Sequence, residues 1–314
     1  MLTHEQIRQW RTQGYVLVKN VFNPCAARVE IENYLQGSIA PEDWGADAHL
    51  EFPSPLRSLN RLALHPNIIG SCQQLLNDQD VVLNQAVAWP KYGHVESSTE
   101  LSNRDQRVHQ DWPNHTLAMP DDIHRPADVV ACLAYISDTR ITGGGTAVVG
   151  KLPHDGDDGN DDDYYGNDDD YFDPAYVMSD CVRALPGVGP HPFINDRRSA
   201  EQYFARKDPR SHAFRRYLYE RETRLAPSGG SVLFYKLTTW HRGTPVFPKQ
   251  TRLVANICYR RGGARGYTCW NSGWWQKNYQ QWFLNFLATL APIQLRALDV
   301  PGGVIPGYRL KSKL

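Results

Sequence analysis

Apolar positions along the chain switch between helical and alternating spacing, and each switch marks an element. Thr3-His4-Glu5-Gln6 is a capping box that opens a helix through about Thr12, and Gly14 ends it. Tyr15-Val16-Leu17-Val18 then reads as a strand, and residues 25–36 and 66–77 return to helical spacing. The span 40–60 is irregular and contains proline. Val81 to Trp89 reads as a strand closed by Pro90-Lys91-Tyr92-Gly93, followed by a polar loop over 94–106 and a short strand ending at 109–111. Val129 to Ile136 is nearly continuously apolar, which predicts a strand buried on both faces. Gly143-Gly144-Gly145 is a turn, with Thr146-Ala147-Val148-Val149 as a partner strand. Residues 199–224 alternate apolar and basic positions at helical spacing, broken by Pro209. Ser231 to Tyr235 and Arg252 to Tyr259 are further strands, and 276–291 is an aromatic amphipathic helix. Many short strands with Gly/Pro turns and flanking helices predict a mainly β fold, a barrel or jelly roll with helical decoration. The expected organisation is one domain over 1–314, with an N-terminal helical region to about 80, an acidic insert over about 154–174 and the C-terminal aromatic helix.

Composition narrows the class. Apolar content of 41% and charged content of 22% are ordinary for a globular protein. No apolar run approaches the ~18 residues a membrane span needs, so no membrane partner is expected. Six scattered cysteines without a Cys-x-x-Cys pair argue against a zinc ribbon or a disulfide scaffold and for buried thiols in a reducing compartment. An intracellular location follows: cytoplasmic in a bacterium, peroxisomal in a eukaryote, where the terminal Ser312-Lys313-Leu314 would be read as an address. The formal net charge of zero hides an asymmetry. Residues 155–173 carry ten Asp and no Lys or Arg, leaving 34 basic against 24 acidic residues elsewhere. That basic body favours anionic small molecules. No basic-aromatic stripe marks a nucleic-acid surface.

The candidate chemistry centres on His109-Gln110-Asp111. Residues i and i+2 of a strand share a face, so this imidazole and carboxylate can reach one metal ion. A second His would complete a 2-His-1-carboxylate triad, which suits non-haem Fe(II) and leaves coordination positions open. His49-Leu50-Glu51 has the same spacing but falls in the irregular span, which gives no fixed geometry. Trp240-His241-Arg242-Gly243-Thr244-Pro245 supplies the second His, and Arg252 follows eleven residues after it. An Arg guanidinium facing the same cavity is a planar fork for a carboxylate. Taken singly, His241 also fits a polar turn residue and Arg252 a rim ion pair.

Together, His-x-Asp, a long gap, His, ten residues and Arg resembles the phytanoyl-CoA dioxygenase family of Fe(II)- and 2-oxoglutarate-dependent oxygenases. The opening helix with Gly14-Tyr15-Val16-Leu17-Val18 is similar to that family's start. Similar too are Arg125-Pro126-Ala127-Asp128 before the buried strand, and Ile136-Ser137-Asp138 before Gly143 to Gly150. The likeness runs over roughly residues 3–260. It implies a double-stranded β-helix (jelly roll, cupin-like) with His109, Asp111 and His241 as iron ligands. Arg252 would hold the distal carboxylate of 2-oxoglutarate. Gln85 matches a position some relatives use for the cosubstrate, and is equally read as a satisfied interior amide. Two departures stand out. Gly243 replaces a serine common two residues after the distal His, which leaves Thr244 to compensate. An aromatic that some relatives place over the cosubstrate falls near Ala134. The implied reaction is hydroxylation of a small-molecule substrate with O2, giving succinate and CO2. Asp111 favours hydroxylation over halogenation, because related halogenases lack this carboxylate.

Other readings stay open. A catalytically idle barrel that binds a small carboxylate has no need of the whole ligand set, and a cupin-like divalent-metal hydrolase has no need of Arg252. The stretch from Asp155 begins like a calcium loop, but Gly159 and Asn160 break the pattern and the closing Glu is missing. A solvated loop suits it better, with a lid or a selector for cationic substrates as functional versions. Trp112 and Trp240 flank the triad and suit pocket walls or packing. The aromatics of 270–286 suit packing on the barrel, a pocket or a dimer face. Oligomeric state and substrate identity are not written in the sequence.

Overall fold

The computed structural model describes residues 1–36, 40, 50–95, 105–111, 128–150, 193–264 and 281–299. His49, Trp112, Arg125 to Ala127, the acidic insert, residues 276–280 and Ser312 to Leu314 lie outside the described residues.

The elements in chain order are α1 (His4–Gln13), β1 (Tyr15–Val18), α2 (Cys25–Gln36), β2 (Leu50–Glu51), α3 (Arg57–Ala63), α4 (Pro66–Leu76), β3 (Val81–Tyr92), β4 (Val129–Tyr135), α5 (Thr139–Thr142), β5 (Thr146–Val148), α6 (Arg197–Lys207), α7 (Pro209–Arg221), β6 (Thr223–Leu225), β7 (Val232–Tyr235), β8 (His241–Gly243), β9 (Thr251–Arg261), α8 (Gln281–Leu287) and α9 (Pro292–Arg296). The caps are those the sequence announces. The Thr3 hydroxyl accepts from the Gln6 amide and the Gln6 side chain accepts from the Thr3 amide, at 3.2 and 2.9 Å. Gly14, at φ 81°, closes α1 in the left-handed conformation. Pro209 begins α7 at a position that needs no amide hydrogen.

Two antiparallel sheets carry the fold, a six-stranded one in the order β1-β7-β4-β9-β3-β2 and a three-stranded one in the order β6-β5-β8. The large sheet has two buried faces. Val130, Cys132 and Ala134 of β4 join Val232 and Phe234 of β7 and Leu253, Ala255 and Ile257 of β9 in a core with the helices, and α4 lies across β3, β4 and β9. The alternate residues Ala131, Tyr135, Leu233, Tyr235, Val254 and Cys258 pack with Val148 of the small sheet. This double burial is why β4 reads as an unbroken apolar run.

Three expectations change. β3 does not close at Pro90 but runs to Tyr92, paired with β9 along its length except for one slip between Leu83 and Gln85. On its other side β2 meets only Val87 and Ala88, so the missing Pro90 amide breaks no ladder bond. The span 40–60 is not wholly irregular, since it holds β2 and α3. There the buried Asn60 side chain accepts from Ser54 N at 2.8 Å and donates to Ser54 O at 2.6 Å. The helix expected over 276–291 is, within the described residues, α8, with α9 following from Pro292. Among the described residues no helix is long and apolar enough to cross a membrane.

Candidate metal centre

The segment 105–111 lies beside β8 without forming a continuous strand. It meets β8 at one antiparallel bridge between His109 and His241. Each histidine donates its amide to the other's carbonyl, at 2.9 Å in both directions. A directly opposed pair of this kind puts both side chains on one face, and the imidazole centroids are 4.5 Å apart. The Asp111 amide turns to Leu237 O at 3.1 Å, which ties the end of the segment to the stretch just before His241. Asp111 lies 3.8 Å from His109 Nε2 through Oδ1 and 3.5 Å from His241 Nε2 through Oδ2. The ligand atoms of the three residues all lie within 4.8 Å of one another, the one such group among the described residues.

The tautomers are set by the backbone. His109 Nδ1 meets Arg107 O and His241 Nδ1 meets Thr239 O, each at 2.9 Å. A carbonyl only accepts, so each Nδ1 carries a hydrogen, and Nε2 is the ring nitrogen on the Asp111 side that a metal would use. Burial, with His241 beside it, drives the His109 imidazole well below its ordinary range and keeps it neutral. Two imidazoles and one carboxylate, the Nδ1 of each ring anchored, are a donor set that fits a divalent first-row ion.

The facing wall is the inner face of the large sheet. Tyr235 of β7 donates its hydroxyl to Asp111 Oδ2 at 2.6 Å, and its ring lies 4.7 Å from the His241 ring. Arg252 shares the inner face of β9 with Val254, Asn256 and Cys258 by strand alternation. Its Nε donates to Gly144 O at 2.9 Å. Gly144 sits at φ 70°, where a side chain is strained, and a Cβ there would stand 2.9 Å from Val246 Cγ2 and 3.0 Å from Arg252 Cγ. Beside Arg252, Tyr135 of β4 bonds the Thr146 hydroxyl at 2.5 Å, and burial pushes its phenol up to about 12. Thr146 is the cross-strand partner of Gly243, two residues beyond His241. The guanidinium therefore belongs to the next inward row from the triad.

Gln85 reaches this wall through a bulge. The β3–β9 register slips between Leu83 and Gln85, so Gln85, not Asn84, stands opposite Cys258. Gln85, Trp89, Leu133 and Asn256 are all partly exposed although they lie within strands of the large sheet. Open space therefore adjoins this face among the described residues. Thr244 is placed differently. Its hydroxyl donates to Gly145 O at 3.1 Å. At Gly243 the nearest side chain is that of Gln106, which accepts from the Gly243 amide at 2.8 Å.

Behind the triad, polar groups fasten the structure alongside the apolar cluster of Val108, Leu218 and Trp240. Buried Arg215 of α7 donates to Glu201 of α6 at 2.9 Å and to Val108 O, next to His109, at 3.1 Å. Tyr219 accepts from Val108 N at 3.0 Å and donates to Glu201 at 2.8 Å. Arg242, buried beside His241, grips both Glu222 oxygens at 2.7 Å and also bonds Asp105. Burial raises the Asp105 carboxyl. For Glu222 burial acts the same way, but the Arg242 bonds outweigh it and bring its carboxyl below the usual value. Trp240 packs edge-on against Phe214 of α7, at 5.7 Å between centroids, and so belongs to this outer layer.

Sequence reasoning singled out His109, Asp111, His241, Arg252, Gln85 and Thr244, and did not single out Tyr235, Tyr135 or the Arg215–Glu201 network, which the structure sets around the site. The signal for the two tyrosines was strand parity: each alternates with residues of the helix-facing core, and Tyr135 stands one place from the Ala134 position where an aromatic was missed.

No protein-family model matches this chain, and no curated protein matches it. Solved structures do. The non-heme alpha-ketoglutarate-dependent carbocyclase SnoK from nogalamycin biosynthesis is similar over 88% of this chain and 90% of its own, at a TM-score of 0.54 and 15% identity. The epimerase SnoN, solved with Fe3+, alpha-ketoglutarate and nogalamycin RO, covers 86% of this chain and 88% of its own, at a TM-score of 0.53 and 15% identity. The chain thus shares its fold with non-heme, alpha-ketoglutarate-dependent enzymes.

Proposed function

We propose that this protein is an Fe(II)- and 2-oxoglutarate-dependent dioxygenase of the phytanoyl-CoA dioxygenase type, built as one double-stranded β-helix domain, that hydroxylates a small organic substrate. The observation that carries this reading is the convergence of two imidazoles and a carboxylate opposite a sheet whose next inward row presents Arg252.

His109, Asp111 and His241 would hold the iron. When bound there, the metal with 2-oxoglutarate and O2 supplies the oxidation, releasing succinate and CO2. The chain's own task is placement. Arg252, fixed through Nε by Gly144 O, would hold the distal carboxylate of the cosubstrate through its guanidinium. The Tyr135 hydroxyl stands beside it, and Gln85 contributes an amide to the same wall. Thr244, bonded to Gly145 O, steadies the glycine turn that Arg252 leans on. The partly exposed Trp89 and Leu133 give the substrate an apolar wall. Asp111 fills the ligand position that halogenases leave vacant, which favours hydroxyl transfer. The named activities of SnoK and SnoN, carbocyclisation and epimerisation, are a second outcome for the same centre, and product analysis separates them.

The test is anaerobic addition of Fe(II), then 2-oxoglutarate, followed by admission of air. The expected result is a weak visible charge-transfer band that forms only with both, then succinate formation in air. Metal binding without the band favours a hydrolase or another use of the metal. The band without turnover over a broad substrate panel favours the idle barrel.

A further inference from the structure

We propose that Tyr235 is a positioning residue for the metal centre, holding Asp111 so that the carboxylate meets the metal through a single oxygen. The inference rests on the reading of His109, Asp111 and His241 as metal ligands.

Three observations carry it. First, the hydroxyl is 2.6 Å from Asp111 Oδ2, a charge-assisted bond to one oxygen of the pair. Second, the same ring lies 4.7 Å from the His241 ring, so one side chain braces two of the three ligands. Third, Tyr235 itself has little freedom. It is 1% exposed and sits mid-sheet, paired with Tyr15 of β1 on one side and Ala131 of β4 on the other. The bond therefore links the ligand segment, which is barely a strand, to the most regular part of the molecule.

The chemical consequence follows from the valence of a carboxylate. An oxygen that accepts a short hydrogen bond is a poorer metal donor than its twin. A carboxylate free to turn can chelate through both oxygens and take a second coordination position. A facial triad works because it leaves positions open. A cosubstrate that binds by two atoms, with O2 beside it, needs all of them. Engaging Oδ2 in this bond leaves Oδ1 as the better donor, keeps Asp111 a one-position ligand and fixes the orientation of its plane.

The experiment compares Tyr235→Phe with Tyr259→Phe. Each removes one buried tyrosine hydroxyl, but Tyr259 faces the helices and bonds Ala63 O. Co(II) is titrated into each metal-free protein, its absorption spectrum is recorded, and 2-oxoglutarate is then added to the Co(II) forms. The expected result for Tyr235→Phe is altered Co(II) bands with roughly 10–100-fold weaker binding of metal or of 2-oxoglutarate, while Tyr259→Phe keeps the wild-type spectrum and affinities. Wild-type spectrum and affinities in Tyr235→Phe overturn the proposal. So does an equal change in Tyr259→Phe, which would mark a general loss of packing. If wild-type protein binds no Co(II), the metal reading itself fails, a distinct result from a variant that behaves as wild type. A measurement on the unmutated chain guards against a variant that does not fold. In protein labelled with 3-fluorotyrosine, Co(II) must displace a fluorine resonance strongly, and the absence of any displaced resonance overturns the placement.

Discussion

At the site, each candidate ligand is defined as much by what holds it as by its own chemistry. The Nδ1 hydrogens of His109 and His241 are taken by backbone carbonyls, which no side-chain substitution removes. The test therefore falls on the ligands. His109→Ala or Asp111→Ala is expected to abolish metal binding, read by calorimetric titration with Fe(II) under anaerobic conditions or with Co(II). Arg252→Ala should leave the metal bound and weaken 2-oxoglutarate by about 1.5–3 kcal/mol, the worth of a hydrogen bond to a charged group. Unchanged cosubstrate affinity in that variant would refute the anchor. Gly144→Ala probes the same anchor from the backbone side. A Cβ there meets Arg252 at 3.0–3.1 Å, on a residue at positive φ. We expect a lower melting temperature together with weaker 2-oxoglutarate binding, at unchanged metal affinity.

Between elements, the layer of charges behind the ligands has the larger energetic stake. α6 and α7 reach the ligand segment through Arg215, which is almost fully buried, and through Glu201 and Tyr219. A buried cation stripped of its partner is costly, so Glu201→Ala should destabilise the protein by about 3–5 kcal/mol in urea unfolding. Because Val108 precedes His109, metal affinity should fall as well. A variant that loses stability and keeps wild-type metal affinity would show that the helix pair supports the fold without aligning the ligand. This layer was partly legible. The capped helices, the break at Pro209 and the strands 231–235 and 252–259 follow from spacing, because local hydrogen bonding and burial on one or two faces dictate them. That Arg242 and Arg215 are buried was not legible. A basic residue in an alternating pattern is as well read as a solvated face until its acidic partners, twenty and fourteen residues away, are brought to it.

In the whole molecule, the centre adds a further link between parts that already share packing and a few hydrogen bonds, such as Tyr135 to Thr146 and Arg252 to Gly144 O. His241 belongs to the small sheet, Tyr235 to the large one, and Asp111 to a segment outside both. An ion held by His109, Asp111 and His241, with Tyr235 bonded to Asp111, should stabilise the native state by mass action. At a hundredfold excess over Kd the gain is about 2.7 kcal/mol, which for a chain of this size is a rise in melting temperature of about 5 °C. Removal of the metal with a chelator should reverse it. Arg252→Ala should keep that rise and lose the further one that 2-oxoglutarate produces.

The sequence by itself determined the longer helices and strands, the doubly buried strand and the identity of the candidate ligands. Those depend on spacing along the chain, on capping chemistry and on which side chains can donate to a metal. The tertiary structure decided what pairs with what. It brought His109 opposite His241 across 132 residues of chain and let the Asn84 bulge turn Gln85 inward. It also set Tyr235 against Asp111, 124 residues away. Such partnerships come from register and sheet facing. A one-residue slip in either reverses which side chains look inward, and nothing local to these residues records that choice.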